Sequence, residues 1–482
     1  MRTRKTEARF HEVLNGDCLE MLKTLDANSV HSVVSDPPAG ISFMGKGWDD
    51  DKGGRDQWIK WLADVMTEVR RVLKPGGHAL IWALPRTSHW TARAVEDAGF
   101  EIRDVVTHLF GCGYPKGQDI SKLIDKRAGM ARQVVGHKKG TQVIAANGAK
   151  CHGKVRPGVG SKAEKVMLEI TGAATAEAKK WEGWSTALKP AAEFWILARK
   201  PLAFDTLAEN VKRTGAGALN IDGCRVPIVG EKPPEFKFSE TAPHGTGNSF
   251  HMGKTTIDKV RGMTWTAHEK GRWPANLLLT HSPECKRAGT QTIKGSPPSE
   301  RDKPVGGFKP GGGPGGKDSK VTECIGYADE NGDETVEVWD CAPGCPVRVL
   351  DDQAGQVASR YFNRFDAEPP FAYVPKATIA ERNVGTEKLA KKRAEANGDG
   401  DGVSEGADAK GNIHPTVKSL ALMTHLITLI TPPGGIVLDP FAGSGTTLVA
   451  AKRCGRSAIG IEREYEYWKI CKARLENGGA YV

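Results

Sequence analysis

Hydrophobic and polar positions alternate between two periods along this chain, and the first 110 residues show both. A short apolar strand is predicted from about residue 11, ahead of Asn15-Gly16-Asp17-Cys18. Leu19, Leu22 and Leu25 then recur at helical spacing. A second strand, residues 29–34, runs into Asp36-Pro37-Pro38. Trp58, Trp61, Leu62, Val65, Val69 and Val72 line one face of a helix predicted over 55–73. Lys74-Pro75-Gly76-Gly77 should stop that helix, with a strand at 78–83 and a helix at 87–98 ended by Gly99. Strands are also predicted at 105–110 and 194–198. Strand and helix alternating through short turns point to an α/β doubly wound sheet.

The pattern changes in the middle of the chain. Residues 121–180 are rich in Lys and read as a basic helical insert at about 119–180. Residues 201–370 are rich in Gly, Pro and polar residues with only short apolar runs. Residues 296–320 and about 386–412 are low in complexity and unsuited to a core. Regular order returns at 414–431, a helix with Val417, Leu420, Met423, Leu426, Ile427 and Ile430 on one face. Strands follow at 436–438 and 457–461. The organisation is therefore one core in two pieces: 1–200, an insertion at 201–375, then a flexible segment and the rest of the core at 376–482.

Composition narrows the class. With 482 residues, 39% hydrophobic and 26% charged, the chain suits a globular protein of two or three domains. It has no run of about 18 apolar residues, so no membrane span is expected. The basic N-terminus lacks the apolar stretch of a signal peptide, and ten scattered cysteines argue for a reducing compartment. A cytoplasmic location is the expectation. The net charge of +10 permits a polyanionic partner.

The densest chemistry is Asp439-Pro440-Phe441-Ala442-Gly443-Ser444-Gly445-Thr446-Thr447, between a predicted strand and a predicted helix. Its glycines allow close backbone approach, and the helix start offers unpaired N–H groups. One strand later, Ile461-Glu462 ends in a carboxylate, a position that commonly binds ribose hydroxyls. The turn lacks Gly-Lys-Ser/Thr, so it is no triphosphate loop. A simple tight turn would also use two glycines.

These segments resemble the amino-group DNA methyltransferases. The glycine turn is similar to their S-adenosylmethionine loop, Asp36-Pro37-Pro38 to their catalytic motif, and His414-Pro415-Thr416-Val417-Lys418 to the start of the helix beside the cofactor. The catalytic motif precedes the cofactor loop, the permuted order of the beta class. Residues 109–116 and 187–191 resemble phage and prophage adenine methyltransferases. The resemblance implies a Rossmann-like, seven-stranded, circularly permuted methyltransferase fold with a large inserted target-recognition region. It implies methyl transfer from S-adenosylmethionine to adenine N6 in a short double-stranded DNA motif, on a flipped base and without a covalent intermediate. Cytosine N4 is the alternative target, and a non-catalytic DNA-binding module the alternative class.

Roles follow from the same resemblance. Asp36 and the Pro37 carbonyl would accept hydrogens from the target amine, held on a turn stiffened by Pro37 and Pro38. The family's aromatic residue after the prolines is Ala39 here, so Phe43, Trp48 or Tyr114 would have to stack on the base. Asp17 and Cys18 should lie near the cofactor adenine, although Asp17 also suits a helix N-cap. Glu462 should bind the ribose. Asp439, Phe441, Gly443, Gly445, Thr446, His414 and Thr416 complete the expected cofactor contacts, and Lys418 could be a surface lysine.

In the insertion, His281-x3-Cys285 and Cys341-x3-Cys345 provide one His and three Cys, a donor set for structural zinc, or four free residues in small turns. Lys116, Lys122, Lys126, Arg127, Arg272 and Lys376 are candidate DNA contacts. A homodimer is expected by resemblance. No nuclease site is evident, so a solitary enzyme and one half of a restriction pair, with a separate endonuclease partner, both fit.

Overall fold

The computed structural model describes residues 10–42, 47–111, 117–144, 150–152, 162–228, 236–237, 264–265, 268–282, 284–294, 333–365, 386, 414 and 417–477. Strands β1 (His11–Asn15), β2 (Val30–Ser35) and β3 (Leu73–Ala83) alternate with helices α1 (Cys18–Lys23), α2 (Arg55–Val72) and α3 (Ser88–Asp97). β4 (Glu101–Phe110) follows. The turn expected at residues 74–77 is absorbed into β3, where the register to β2 slips between Val30 and Ser32. The extra residues leave the ladder as an irregularity instead of ending it.

The insert at 119–180 departs from expectation. It starts with helix α4 (Ile120–Arg127) but continues as an antiparallel sheet of β5 (Val134–Ile144), β6 (Lys150–His152) and β7 (Lys162–Thr171) before α5 (Ala176–Lys180). β-Branched residues, including Val134, Val135, Val143, Ile144 and Val166, favour strands there over the helix suggested by the lysines. β8 (Ala192–Arg199) then enters the main sheet antiparallel to both β3 and β4.

Beyond α6 (Leu207–Thr214) lie a two-residue pair, β9 (Phe236–Lys237) with β10 (Thr264–Trp265), and strand β11 (Leu277–Thr280). A ribbon of β12 (Lys286–Lys294) and β13 (Asp333–Asp340) precedes α7 (Pro346–Ala354) and β14 (Asn363–Phe365). The chain closes with α8 (Leu420–Ile430), β15 (Ile436–Asp439), α9 (Thr446–Arg453), β16 (Ser457–Glu462) and α10 (Tyr465–Asn477).

The main sheet has nine strands in the order β1-β16-β15-β2-β3-β8-β4-β11-β14. The expected seven-stranded methyltransferase core accounts for the first seven. The insertion supplies the other two, because the short apolar run Leu277–Thr280 pairs in parallel with the open edge of β4. The insertion therefore extends the core sheet as well as carrying separate structure.

Successive residues on each central strand face opposite layers. Val34, Leu80 and Val437 pack with α8 and α9 through Leu422, Leu426, Ile427 and Leu448. Val33, Ile81 and Leu438 pack with α2 and α3 through Leu62, Val65, Val69 and Val95. This explains the near-continuous apolar run of each strand. Because β15 inserts beside β2, with Val437 opposite Ser32 and Leu438 opposite Val33, the two chain halves interleave. That is the circular permutation seen as a sheet.

The glycine turn is held from below by α10. Arg474 is buried, and its Nη1 donates to the Ser444 carbonyl at 2.6 Å, to Ser444 Oγ at 3.0 Å and to Thr446 Oγ1 at 3.1 Å. Gly445 takes φ +80°, and a Cβ there would meet Cys471 Sγ at 2.4 Å. Close approach to α10 thus requires this glycine. Arg474→Met keeps much of the volume and removes the three bonds. It is expected to destabilise the fold by about 1.5–3 kcal/mol, the range for charge-assisted hydrogen bonds. Chemical denaturation checks this, and a change within about 0.5 kcal/mol, the scatter of neutral surface changes, would contradict the tie.

Candidate functional site

The C-terminal ends of β1, β2, β15 and β16 open onto one cleft of about 970 Å³. Ligands of open α/β sheets bind on this side of the strands. Its lining includes Asp17, Cys18, Asp36, Pro38, Trp48, His414, Lys418, Asp439, Phe441, Gly443, Thr446 and Glu462, from both chain halves. Most of the residues singled out in the sequence therefore converge.

Some do not. Gly445 is absent from the lining and faces Cys471. Ala39 is half-buried and lies outside the lining. Phe43, Tyr114, Thr416, Lys116 and Lys376 lie outside the described residues. Lys122, Lys126 and Arg127 are exposed on α4. Arg272 corrects the expectation of a DNA contact. It is buried, ion-paired with Glu334, and lies 5.3 Å from the Tyr361 ring, and Arg360 binds the same carboxylate at 3.2 Å. A guanidinium committed in this way is a structural tie of the insertion.

Asp36 follows β2 directly and pairs with Lys418, whose ammonium lies 4.3 Å from the centre of the Trp82 ring. Lys418 is 6% exposed, so it is not the surface lysine that its sequence context also allowed. Beside this pair, Asp439 is wholly buried. It accepts from Ser35 Oγ at 2.6 Å, the Phe441 N–H at 3.1 Å and Thr447 Oγ1 at 2.5 Å. Burial pushes its carboxyl up to about 6 against these bonds, and the nearby Asp36 charge adds to the rise.

Glu462 ends β16. Its carboxylate takes the Gly443 N–H at 2.8 Å and the Glu464 N–H at 2.7 Å, yet burial raises it to about 7. Gly443 adopts φ +54°, and a Cβ there would meet the His414 ring at 2.8 Å. Across the cleft, Asp17 caps α1 by accepting from the Leu19 N–H at 2.9 Å and also lines the cleft. Burial, helped by Asp17, pushes the Cys18 thiol up to about 12, which makes it a neutral wall.

The aromatic lining was only partly legible. Trp48 lies near-parallel to His414 at 6.4 Å, Tyr467 meets His414 edge-on at 4.5 Å, and Trp61 contacts Phe441 at 5.7 Å. Trp61 read in sequence only as a member of an amphipathic helix, and Tyr467 was not singled out at all. Asp49 was also missed. It is buried and holds the loop after the Asp-Pro-Pro motif through the Gly40 N–H at 3.0 Å. Trp48 Nε1 is buried and has no hydrogen-bond partner among the described residues. An orphaned donor in the cleft wall suits a polar ligand.

A second cluster lies at the end of β11. The ligand atoms of His281, Cys285, Cys341 and Cys345 all fall within 4.8 Å of one another. His281 Nδ1 is 3.5 Å from Cys341 Sγ and 3.8 Å from Cys345 Sγ, and Trp339 stacks on its ring at 3.9 Å. A zinc ion with bonds of about 2.0 and 2.3 Å would separate nitrogen and sulfur by about 3.5 Å, so the donor set fits. Cys285 and Cys341 are the two feet of the β12–β13 ribbon. The quartet therefore ties the ribbon to the sheet.

Comparison with known proteins agrees with this arrangement. The chain is 50% identical over 68 residues to the type II methyltransferase M2.LlaDCHI of Lactococcus lactis subsp. cremoris, 14% of this chain and 25% of the relative. It is 54% identical over 63 residues to the type II methyltransferase M2.DpnII of Streptococcus pneumoniae, 13% of this chain and 24% of the relative. The chain thus spans about a quarter of the length of these curated relatives. A solved DNA modification methylase structure from Thermus thermophilus aligns over 98% of this chain and 97% of its own, at 14% identity and a TM-score of 0.36. Among the described residues, no helix is long and apolar enough to cross a membrane. The DNA methylase family model matches residues 30–117 and 294–473, more than half of the sequence, including Asp36 and the glycine turn, and the chain belongs to that family.

Proposed function

We propose that this protein methylates adenine N6 in a short motif of double-stranded DNA, with S-adenosylmethionine as methyl donor. The observation that carries the reading is the meeting of Asp36 and the glycine turn in one cleft, on adjacent strands drawn from opposite ends of the chain. Bound S-adenosylmethionine supplies a methyl group on a positively charged sulfur. In this reading Glu462 accepts from its ribose hydroxyls, Asp17 and Cys18 border its adenine, and Phe441, Gly443, Ser444 and Thr446, all in the lining, hold the rest.

The chain's own part is to activate a weak nucleophile. The lone pair of an exocyclic base amine is delocalised into the ring. Asp36 pairs with Lys418 through Oδ2, which leaves Oδ1 as an acceptor for an amine hydrogen. Acceptance there, with the Pro37 carbonyl taking the second hydrogen, returns electron density to nitrogen and aims it. The proton leaves to Asp36 or to water. Trp48 is the described aromatic residue best placed to stack on a flipped base in place of the missing ring at Ala39. The acidic first residue of the motif favours adenine N6 over cytosine N4. Exposed Lys122, Lys126 and Arg127 suit phosphate contacts. We further propose that the His-Cys quartet holds a structural zinc ion, with every position filled by protein.

Three outcomes test this reading. Wild-type protein incubated with unmethylated bacterial DNA is expected to leave N6-methyladenine at one motif by single-molecule sequencing, and Asp36→Ala to leave none. N4-methylcytosine instead would move the target to cytosine.

Cofactor affinity should depend on pH through Glu462. Its carboxyl titrates near 7, and ribose hydroxyls donate to the ionised form. Affinity is therefore full above that pH and weakens by up to about tenfold per unit below it, as protons compete. Calorimetric titration should find this slope flattened in Glu462→Gln; an unchanged slope would remove Glu462 from the site.

Elemental analysis of the purified protein should give one zinc per chain, lost in Cys285→Ser/Cys341→Ser along with a lower Tm. Zinc-free protein that melts at the same temperature would sink the metal proposal.

A further inference from the structure

A line of side chains crosses the sheet from the cleft to the metal quartet. Lys418, paired with Asp36, rests over the Trp82 ring at 4.3 Å. Trp82 Nε1 on β3 donates to Glu193 Oε2 on β8 at 2.6 Å. Glu193 Oε1 meets His108 Nδ1 on β4 at 2.7 Å, and His108 Nε2 meets Thr280 Oγ1 on β11 at 2.7 Å. Thr280 directly precedes His281. Glu193 and His108 are 1% and 2% exposed, so this is a polar chain inside the sheet, away from solvent.

A carboxylate and an imidazole at this depth cost desolvation energy that apolar residues would avoid. They also act on the ring between them and the cleft. Donation of the indole N–H to a carboxylate pushes electron density into the ring, and the ring face then attracts an ammonium more strongly. The bond also fixes the tilt of the indole.

Resting on the methyltransferase reading above, we propose that Glu193, oriented by His108, is a positioning residue for the reaction. It holds Trp82 so that Lys418 is kept against Asp36, and so keeps that carboxyl group aimed into the cleft. Glu193 touches neither substrate nor cofactor. The charged groups facing Asp36 are Lys418 and, at the end of the adjacent β15, Asp439, while Asp17, Lys52, His414, Glu462, Arg463 and Glu464 line the same cleft.

The sign of one measurement separates this role from simple electrostatics. Removing the Glu193 charge, acting through space alone, would relieve repulsion and lower the titration midpoint of Asp36. Acting through Trp82 and Lys418, it weakens the ammonium's hold and raises that midpoint. Carboxyl ¹³C titration of the unliganded full chain, with Asp36→Asn used to assign the signal, reads this without turnover.

Lys418→Met, which removes the paired cation, is expected to raise the midpoint. Glu193→Gln, which keeps the shape, should raise it by a smaller amount, and Trp82→Phe should do the same while retaining a ring. In the Lys418→Met background, Glu193→Gln should add no further rise, since the intermediary is gone. Turnover of Glu193→Gln should fall about tenfold in kcat with cofactor affinity unchanged, as for an interaction expressed in the transition state.

A midpoint that falls or stays in both Glu193→Gln and Trp82→Phe overturns the proposal. So does a rise that persists without Lys418. If the wild type leaves no methyl mark, the functional reading fails, but the titration still decides whether Glu193 acts on Asp36.

Discussion

The site depends on the parallel pairing of β2 with β15. Nothing in the local chemistry of either strand requires the other, since they come from opposite ends of the chain. Once paired, Ser35 and Asp439 meet at 2.6 Å, and the strand ends deliver Asp36 and the glycine turn to the same opening. Asp439 carries much of this join. Its carboxylate ties β2, its own turn and α9 together through Ser35, Phe441 and Thr447. A buried acid with three donors is a directional fastener, where apolar contacts would tolerate a shift.

The cleft concentrates carboxylates in a poorly solvated place. Asp36, Asp439 and Glu462 line one cavity, and burial pushes the last two upward. Asp36 is the one paired with a buried lysine. The arrangement divides labour by environment. Asp439 braces the strands, Glu462 sits where a hydroxyl-bearing ligand would stabilise its charge, and Asp36 is paired with a cation seated on a tryptophan.

The insertion has a share in the core. Its β11 and β14 extend the sheet, and the His-Cys quartet sits where β11 ends and the β12–β13 ribbon begins. Buried Arg272 and Arg360 on Glu334 supply a second tie in a region with few large apolar residues. Polar fastening of this kind fits a segment whose composition could not support a core of its own.

Local pattern was a good guide where local physics decides. Helical spacing of apolar residues placed α2 and α8, continuous apolar runs placed β2, β15 and β16, and the Gly-Ser-Gly turn marked a ligand cleft, because periodicity and backbone freedom are properties of neighbouring residues. The pairing of His281 and Cys285 with Cys341 and Cys345 was also legible, since each pair is local in sequence. What the pattern missed depends on distant partners. The insert at about 119–180 was expected to be helical, but beyond α4 strand pairing across β5 and β7 prevailed. Arg272 looked like a phosphate contact until Glu334 was folded beside it. Trp82, Glu193 and His108 are unremarkable in sequence, and they form a line with Lys418 only because β3, β8 and β4 lie side by side. Residue pattern alone marked most of the core strands and helices and the residue types that could do chemistry. The tertiary structure alone decided strand order and burial, because the energy of a buried charge depends on groups that the chain brings together only when it folds.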